Sequence, residues 1–580
     1  MVTEPFLPVP MPVVVACLIA AGFGTCLALA RMTQAGRFLT RVLVASFLAH
    51  VVCALAFYLV SAYQLPVFRD LQLESGFWTI SRDAYWYHVN ASRMADALRW
   101  QNELPTLMIY GRESIVDHDF QVMIAAFYSV FGSHPLYVPL LNSVACIAIT
   151  ATAFVMGRRF AGEAGGRMAA VLVAFWPSFY VWSAQVLKDS LTLLCLMVLL
   201  ALLVKQIEST SWKQSLITLV VMMLPAFLLL RLRYYSVLLV IGAAIGTGCI
   251  GVLIRSKATR IQVVQRTATA TLMLSLVFIL GRGASLGEWV SPSQPELGRL
   301  RKAEYFESRG DMARAREEVR LAEQLRPAPA PPSPPSLPSP SPSGPQAPPV
   351  AAEPLQAGRV PLPPPVKPLP LPTRGLREEV RARMGELAST FTAARIMKAR
   401  RGFETSGGDS LIESDLRIDR LSVSAVGASI AEGIALGLYA PFPWQWFGPP
   451  GDTGAFRSIA AIEVVLVVAL TPWIVMGMIR AFRSRRPSAW LLVLYAVGST
   501  ALLGFAVRNL GILFRLRLLA FLPLLVLLGA YGLAGSRLGR WLARDGDDVE
   551  SQSPRIPRTG NLLSSFQHVD RVRVDAEGAA

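Results

Sequence analysis

Apolar residues along this chain come in continuous blocks, without the repeating pattern of an amphipathic helix or strand. Each block is about 18–24 residues long, the length that a helix needs to cross about 30 Å of hydrocarbon. Because lipid offers the backbone no hydrogen-bond partners, such blocks must be helical. The pattern predicts about eleven transmembrane helices, at 8–30, 42–63, 136–156, 167–184, 188–205, 214–231, 235–254, 267–282, 457–480, 488–507 and 512–534.

Composition and charge support an all-α polytopic membrane protein. Hydrophobic residues make up 53% of the chain and charged residues 16%, against about 25% charged in soluble domains. The net charge of +17 does not indicate nucleic-acid binding, because the basic residues concentrate in short loops, as orientation signals do. These loops are 31–41, 158–159, 255–266, 480–486 and the tail from residue 537. Their common side predicts an outer N-terminus and a cytoplasmic C-terminus.

The predicted helices divide the chain into six segments. They are the N-terminal helices (1–64), a first outer loop (65–135), a transmembrane core (136–282), a large outer loop (283–456), the C-terminal helices (457–535) and a disordered cytoplasmic tail (536–580). All six cysteines fall in apolar blocks and are interpreted as small buried residues.

Both outer loops contain further predicted elements. In the first, the apolar stretch Phe120–Gly132 is too short to span comfortably and is interpreted as an interfacial or re-entrant helix. In the second, 298–326 and 376–401 favour helix, and the proline-rich segment 327–372 predicts a disordered spacer. Residues 421–440 predict a helix at the membrane surface, leading into the aromatic segment 441–446.

The first outer loop contains the leading candidate for chemistry. Asp83 and Tyr87 stand four residues apart at the start of an amphipathic helix that follows a membrane span. A carboxylate beside the bilayer surface is suited to accept a proton from an acceptor hydroxyl. The alternative is that Asp83 caps the helix after Ser81.

The order of several motifs resembles the integral-membrane glycosyltransferases of the GT-C fold, especially bacterial relatives of protein mannosyltransferases and lipid A aminoarabinose transferases (glycosyltransferase family 39). The resemblance covers roughly residues 65–255, with a further stretch in the C-terminal half. The motifs are Asp83-x-x-x-Tyr87, Phe127-Tyr-Ser-Val-Phe-Gly132, Leu140-Leu-Asn142, Ala161-Gly-Glu-Ala-Gly-Gly-Arg167, Ala174-Phe-Trp-Pro177, Trp182-Ser183, Leu187-Lys188-Asp189, Arg231-x-Arg233-Tyr234-Tyr235, Pro441-Phe-Pro-Trp444, Glu463 and Asn509-x-Gly511 with Arg515-x-Arg517.

The resemblance implies that Asp83 is the catalytic base, that Tyr87 shapes the pocket and that the donor is a sugar on a polyprenyl phosphate. Many members carry two adjacent acidic residues where this chain has Arg82-Asp83. A second carboxylate is then missing or comes from Asp117 or Asp119, which are equally consistent with solvated loop charges. No resident cofactor is predicted, although a divalent metal remains possible.

Basic residues at predicted outer helix ends are candidates for the donor phosphate, because outer cations run against the positive-inside bias and arginine matches phosphate oxygens. The alternative is that they pair with Asp189, Glu463 or lipid headgroups. His88 joins the candidate substrate-binding residues because it lies near Asp83, and no metal-ligand cluster is predicted. The basic candidates are Lys188, Arg231, Arg233, Arg508, Arg515 and Arg517.

The resulting hypothesis is a glycosyltransferase at the outer face of a bacterial-type inner membrane, passing a sugar from a polyprenyl-phosphate carrier to a lipid, glycan or protein. Membrane lipid and the lipid-linked donor are its expected partners. One alternative is a polysaccharide polymerase or ligase that relies on outer arginines. Another is a transporter or an envelope-assembly scaffold, whose partners would bind the proline-rich segment. We find no internal repeat of the kind that many transporters show.

Overall fold

The computed structural model describes residues 9–100, 115–254, 256–281, 316, 319–320, 423–446, 454–507 and 509–544. These residues are mainly helical and contain no β-strand. The predicted segments 327–372 and 376–401 lie outside the described residues, as does 298–326 apart from residues 316, 319 and 320.

The helices follow one another along the chain with mostly short connections. They are α1 (Met11–Thr33), α2 (Gly36–Ala62), α3 (Arg82–Trp100), α4 (Ile115–Phe131), α5 (Tyr137–Ala174), α6 (Pro177–Ser183), α7 (Asp189–Ile207), α8 (Trp212–Gly251), α9 (Lys257–Gly281), α10 (Val423–Tyr439), α11 (Gly454–Arg483), α12 (Pro487–Ala506), α13 (Leu510–Leu516), α14 (Leu518–Leu533) and α15 (Arg537–Arg544). Single 3-10 turns lie at Arg69–Leu71, Glu74–Gly76, Thr79–Ser81 and Pro443–Gln445.

Eight described helices are long and apolar enough to cross a membrane, and the bent pair α13–α14 is a ninth candidate. The predicted polytopic membrane protein is confirmed at this level.

Two of the eight helices are too long for one crossing. Helix α5 has 38 residues and α8 has 40, or about 57 and 60 Å at 1.5 Å per residue.

Helix α5 reverses its direction inside its length. Its backbone leaves the helical region at Ala161 and at Gly162, whose φ is +67°, a value that glycine adopts without strain. The two helical arms of this hairpin pack closely, since a Cβ built at Gly157 would lie 2.6 Å from the Gly165 carbonyl oxygen. At the opposite end, the Asn142 amide donates to carbonyls just after α6, including the Gln185 oxygen at 3.0 Å. The predicted blocks 136–156 and 167–184 thus lie antiparallel.

Helix α8 reverses at Arg233, whose φ of −154° and ψ of 81° are not helical. Gly251 at its C-terminus packs on Val263 of α9. The neighbouring Gln262 donates from Nε2 to the carbonyl oxygen of Ser209, 2.9 Å away and just before α8 begins. The two ends of α8 therefore lie on the same side of the bundle, and 212–232 and 234–251 run in opposite directions.

The predicted basic loops meet at one end of the bundle, here called the Arg159 end. The opposite end contains Asp83 and is called the Asp83 end. At the Arg159 end, contacts join pairs of loops that are far apart in sequence. The contacts at the Arg159 end are Arg486 to the Arg159 carbonyl (3.0 Å), Arg480 to the Tyr531 carbonyl (3.1 Å), Arg159 with Glu208, Arg167 with the Leu542 carbonyl and Arg167 over the Phe38 ring (5.1 Å). The side of a membrane that each end faces stays a prediction.

Three expectations change in detail, and a fourth agrees with the structure. Helix α10 does not simply lie on a surface, because Gly433 and Gly437 let its backbone touch that of α12 at Gly504. The tail begins with the ordered helix α15. Two cysteines, Cys17 and Cys249, are exposed on the outside of the bundle, and the described cysteines form no disulfide. The short helix predicted at Phe120–Gly132 corresponds to the second part of α4, which ends at Phe131 and whose apolar part is too short for a span, as predicted.

Candidate functional site

Asp83 lies in the first turn of α3, where the helix dipole favours a negative charge. The apolar face of α3 packs into the core through Ala84, Ala91 and Met94. This packing turns the opposite face outward, and the Asp83 side chain is 60% exposed. A carboxylate that is both fixed by a packed helix and open to solvent is able to meet a ligand.

Arg515 reaches Asp83 from the other end of the chain. The Asn509 side chain accepts a hydrogen bond from the Ile512 backbone nitrogen at 3.1 Å and so begins α13 as its N-cap. Six residues further on, Arg515 donates from Nη1 to Asp83 Oδ2 over 2.9 Å. The Arg515 side chain is only 10% exposed, so one partner of this ion pair is buried and the other is not.

Asp189 is the second carboxylate at Arg515 and is buried in the first turn of α7. Its Oδ2 accepts from Arg515 Nε at 2.5 Å, and its Oδ1 accepts from Arg233. Arg233 stands at the reversal of α8 and also donates from Nη1 to the Tyr235 hydroxyl at 2.7 Å. The buried side chain of Lys188 interacts electrostatically with Asp189. The sequence predicts Asp189 only as an ion-pair partner of the basic residues, although Lys188-Asp189 at a helix start is a signal for a role in the site.

We call Asp83, Lys188, Asp189, Arg233 and Arg515 the ionic cluster. Among these five residues, three cations stand with two carboxylates. Arginine forks match phosphate oxygens, so this balance suits a singly charged anion. The contacts with Asp189 correspond to the pairing alternative for Arg233 and Arg515.

Arg231 lies near the cluster in sequence but pairs elsewhere. It donates from Nη2 to Asp119 Oδ1 over 2.7 Å, and both side chains are less than 10% exposed. It also donates from Nη1 to the carbonyl oxygen of Gly281 at 3.4 Å, where α9 ends. Asp119 is therefore a buried partner of Arg231 and not a solvated loop charge. The side chain of Asp117, the other candidate for a second carboxylate, lies outside the described residues.

Tyr87 and His88 point in different directions from α3. Tyr87 is buried beside Phe120, with ring centroids 5.5 Å apart, and interacts electrostatically with Arg515. His88 Nδ1 instead hydrogen-bonds the Tyr128 hydroxyl at 2.9 Å. Burial, and to a smaller extent His134, lowers the pKa of His88 to about 4, so the ring is neutral at pH 7. The contacts of His88 place it in the core and give no support to a role in ligand binding.

Arg517 is buried away from the ionic cluster. Its Nε lies 3.8 Å from Glu463 Oε1, and its Nη2 donates to the carbonyl oxygen of Ala440 at 2.8 Å. Glu463 also accepts from the backbone nitrogen of Ser178 at 2.9 Å, near the start of α6. These contacts join the break between α13 and α14 to the ends of α6 and α10, and they correspond to the alternative that Arg517 pairs with Glu463. Arg508 lies outside the described residues.

The described residues contain no group of three or more His, Cys, Asp or Glu side chains that could hold a metal ion. The part of the ionic cluster that a ligand would meet is cationic apart from Asp83. Its donors suit an anionic ligand better than a divalent cation. No protein-family model matches the chain, and no curated protein matches it in sequence, so its function is argued from this geometry.

Proposed function

We propose that the chain is a membrane glycosyltransferase that takes a sugar from a polyprenyl-phosphate carrier at the Asp83 end. The observation that carries the proposal is the contact of an exposed carboxylate, Asp83, with a buried arginine in a cluster of net positive charge. A base and a phosphate-binding group are the two parts that this reaction needs side by side. The motif resemblance supports the same assignment.

In the proposed step, the oxygen of the acceptor hydroxyl bonds to the anomeric carbon of the sugar, and Asp83 accepts the proton of that hydroxyl. The bond from that carbon to the phosphate oxygen breaks, and polyprenyl phosphate leaves with the electron pair. The leaving phosphate gains negative charge, which Arg515, Arg233 and Lys188 stabilise electrostatically. The acceptor is a hydroxyl of a lipid, a glycan or a protein.

The proposed topology has eleven crossings. The reversal in α8 makes two crossings out of that helix, the part of α5 after Gly162 makes a second crossing together with α6, and the bent pair α13–α14 makes one more. With the positive-inside rule, the Arg159 end is cytoplasmic and the Asp83 end faces the outside of a bacterial-type inner membrane. A lipid-linked donor then reaches the ionic cluster from the outer leaflet.

The test replaces Asp83 with Asn, which keeps the shape but removes the basic carboxylate. Purified protein is incubated with a panel of polyprenyl-phosphate monosaccharides and an envelope extract, and release of polyprenyl phosphate is measured. We expect loss of at least about 100-fold in rate, in the range of general-base contributions. Asp96→Asn is the matched control, because Asp96 is exposed on the same helix.

Full activity of Asp83→Asn would refute the assignment of the base. If Arg515→Gln alone abolished transfer while Asp83→Asn remained active, the polymerase or ligase function would be favoured. Each variant is compared by its level in the membrane and by thermal unfolding, so that a folding defect is recognised separately.

A further inference from the structure

Arg515 is held by two carboxylates that differ sharply in burial. Its Nε donates to Asp189, whose side chain is 7% exposed, and its Nη1 donates to Asp83, which is 60% exposed. Asp189 is also bonded to Arg233. The Nε side of the guanidinium is thus fixed in the bundle, and the Nη1 side meets a partner that solvent can reach.

The two contacts differ in strength for the same reason. An ion pair with a solvent-exposed partner contributes little, because water and salt screen it. Breaking a buried pair leaves an uncompensated charge and is strongly unfavourable. An incoming anion therefore replaces Asp83 at Arg515 much more readily than it replaces Asp189.

We propose that the phosphate of the lipid-linked donor competes with Asp83 for Nη1 of Arg515, so that donor binding releases the Asp83 carboxylate. The inference rests on the proposed function and adds to it the order of events. Without donor, Arg515 occupies the carboxylate. With donor bound, Arg515 pairs with phosphate, and Asp83 is available for the acceptor hydroxyl. Proton acceptance is thereby coupled to the presence of the donor.

A phosphate has the right chemistry to displace the carboxylate. Its non-bridging oxygens accept parallel hydrogen bonds from a guanidinium, whereas Asp83 offers Arg515 a single contact through Oδ2. Lys188 and Arg233 belong to the same cluster as Arg515, so their positive charges also attract an anion at Nη1 of Arg515.

Competition between phosphate and Asp83 for Arg515 predicts a different result from a role in which Asp83 itself binds the donor. Removing the Asp83 charge should strengthen phosphate binding while it abolishes transfer. An exposed ion pair of this kind corresponds to roughly a twofold to fivefold change in affinity. If Asp83 helped to hold the donor, the same substitution would weaken binding.

The experiment measures binding of radiolabelled undecaprenyl phosphate to the full-length protein in phosphatidylcholine nanodiscs, which carry no net anionic headgroups to compete. The variants are Asp83→Asn, Arg515→Gln, the double variant and the control Asp96→Asn. We expect Asp83→Asn to bind twofold to fivefold more tightly, Asp96→Asn to bind as the unaltered protein does, and Arg515→Gln to bind at least about tenfold more weakly. In the double variant the gain from Asp83→Asn should vanish, since the two residues act through one contact.

Further arms separate the sources of the phosphate. Undecaprenol without phosphate should show no gain with Asp83→Asn, and inorganic phosphate should compete with the lipid. A gain seen with inorganic phosphate but not with the lipid would overturn the inference, because the donor would not reach Arg515. Equal or weaker lipid binding by Asp83→Asn would also overturn it and leave the proposed function standing. Absence of lipid binding by the unaltered protein would refute both.

Discussion

The contrast between Asp83 and Asp189 at one arginine predicts very different effects on stability. Asp189 accepts from Arg515 and Arg233 in the protein interior, and its side chain is 7% exposed. Replacing it with Asn keeps the volume, but it removes the carboxylate that pairs with Arg233 and leaves buried Arg515 with only the exposed carboxylate of Asp83. Removal of one partner from a buried ion pair costs about 3–5 kcal/mol. The exposed pair of Asp83 contributes about 0–1 kcal/mol.

The free energy of unfolding of each variant is measured by denaturation with sodium dodecyl sulfate in mixed micelles. We expect Asp189→Asn to lower it by several kcal/mol and Asp83→Asn to leave it nearly unchanged. Glu163→Gln is a control, because Glu163 is also a partly exposed carboxylate, 37% exposed, that pairs with a buried arginine, Arg167, one helical turn away. The reasoning is refuted if Asp189→Asn is no more destabilising than Asp83→Asn.

Two other predictions concern packing and pH. A Cβ added at Gly504 would clash with the Gly433 carbonyl, so Gly504→Ala should destabilise the protein by about 1–3 kcal/mol. Gly498→Ala on the same helix should not, since nothing lies within 4 Å of its added Cβ, and equal effects in the same denaturation assay would contradict the packing. Burial lowers the pKa of His88 from 6.5 to about 4. The contribution of the neutral ring to the free energy of unfolding is therefore complete above pH 6.5 and is lost as the pH falls toward 4, at up to about 1.4 kcal/mol per pH unit. His88→Asn should flatten the stability profile in that window, and an unchanged profile would exclude His88 as its cause.

The sequence was sufficient to predict most of the membrane helices because hydropathy is a local property. The reversals were visible as interruptions, with Gly162 and its neighbours in one case and Arg233 in the other. The packing of α10 was not predictable in this way. Its glycines Gly433 and Gly437 acquire meaning only with Gly504, which lies far along the chain.

The candidate site shows the same limit more clearly. Asp83 and Arg515 were both identified as candidates, but 432 residues separate them in sequence. Nothing local indicates that they touch or that Asp189 binds the same guanidinium. His88 was proposed because it is near Asp83 in sequence, yet a helix places positions five apart on different faces. Pairing of buried charges depends on tertiary packing, which a single sequence does not reveal.

The wide sequence separation of the buried ion pairs has a consequence for biosynthesis. Ribosomes deliver Asp189 and Arg233 to the membrane long before Arg515, which follows Asp189 by 326 residues. Until α13 inserts, Asp189 has Lys188 and Arg233 beside it but lacks Arg515. A chain truncated before α13 would keep this defect permanently. The ionic cluster is therefore complete only when α13 has joined the earlier helices.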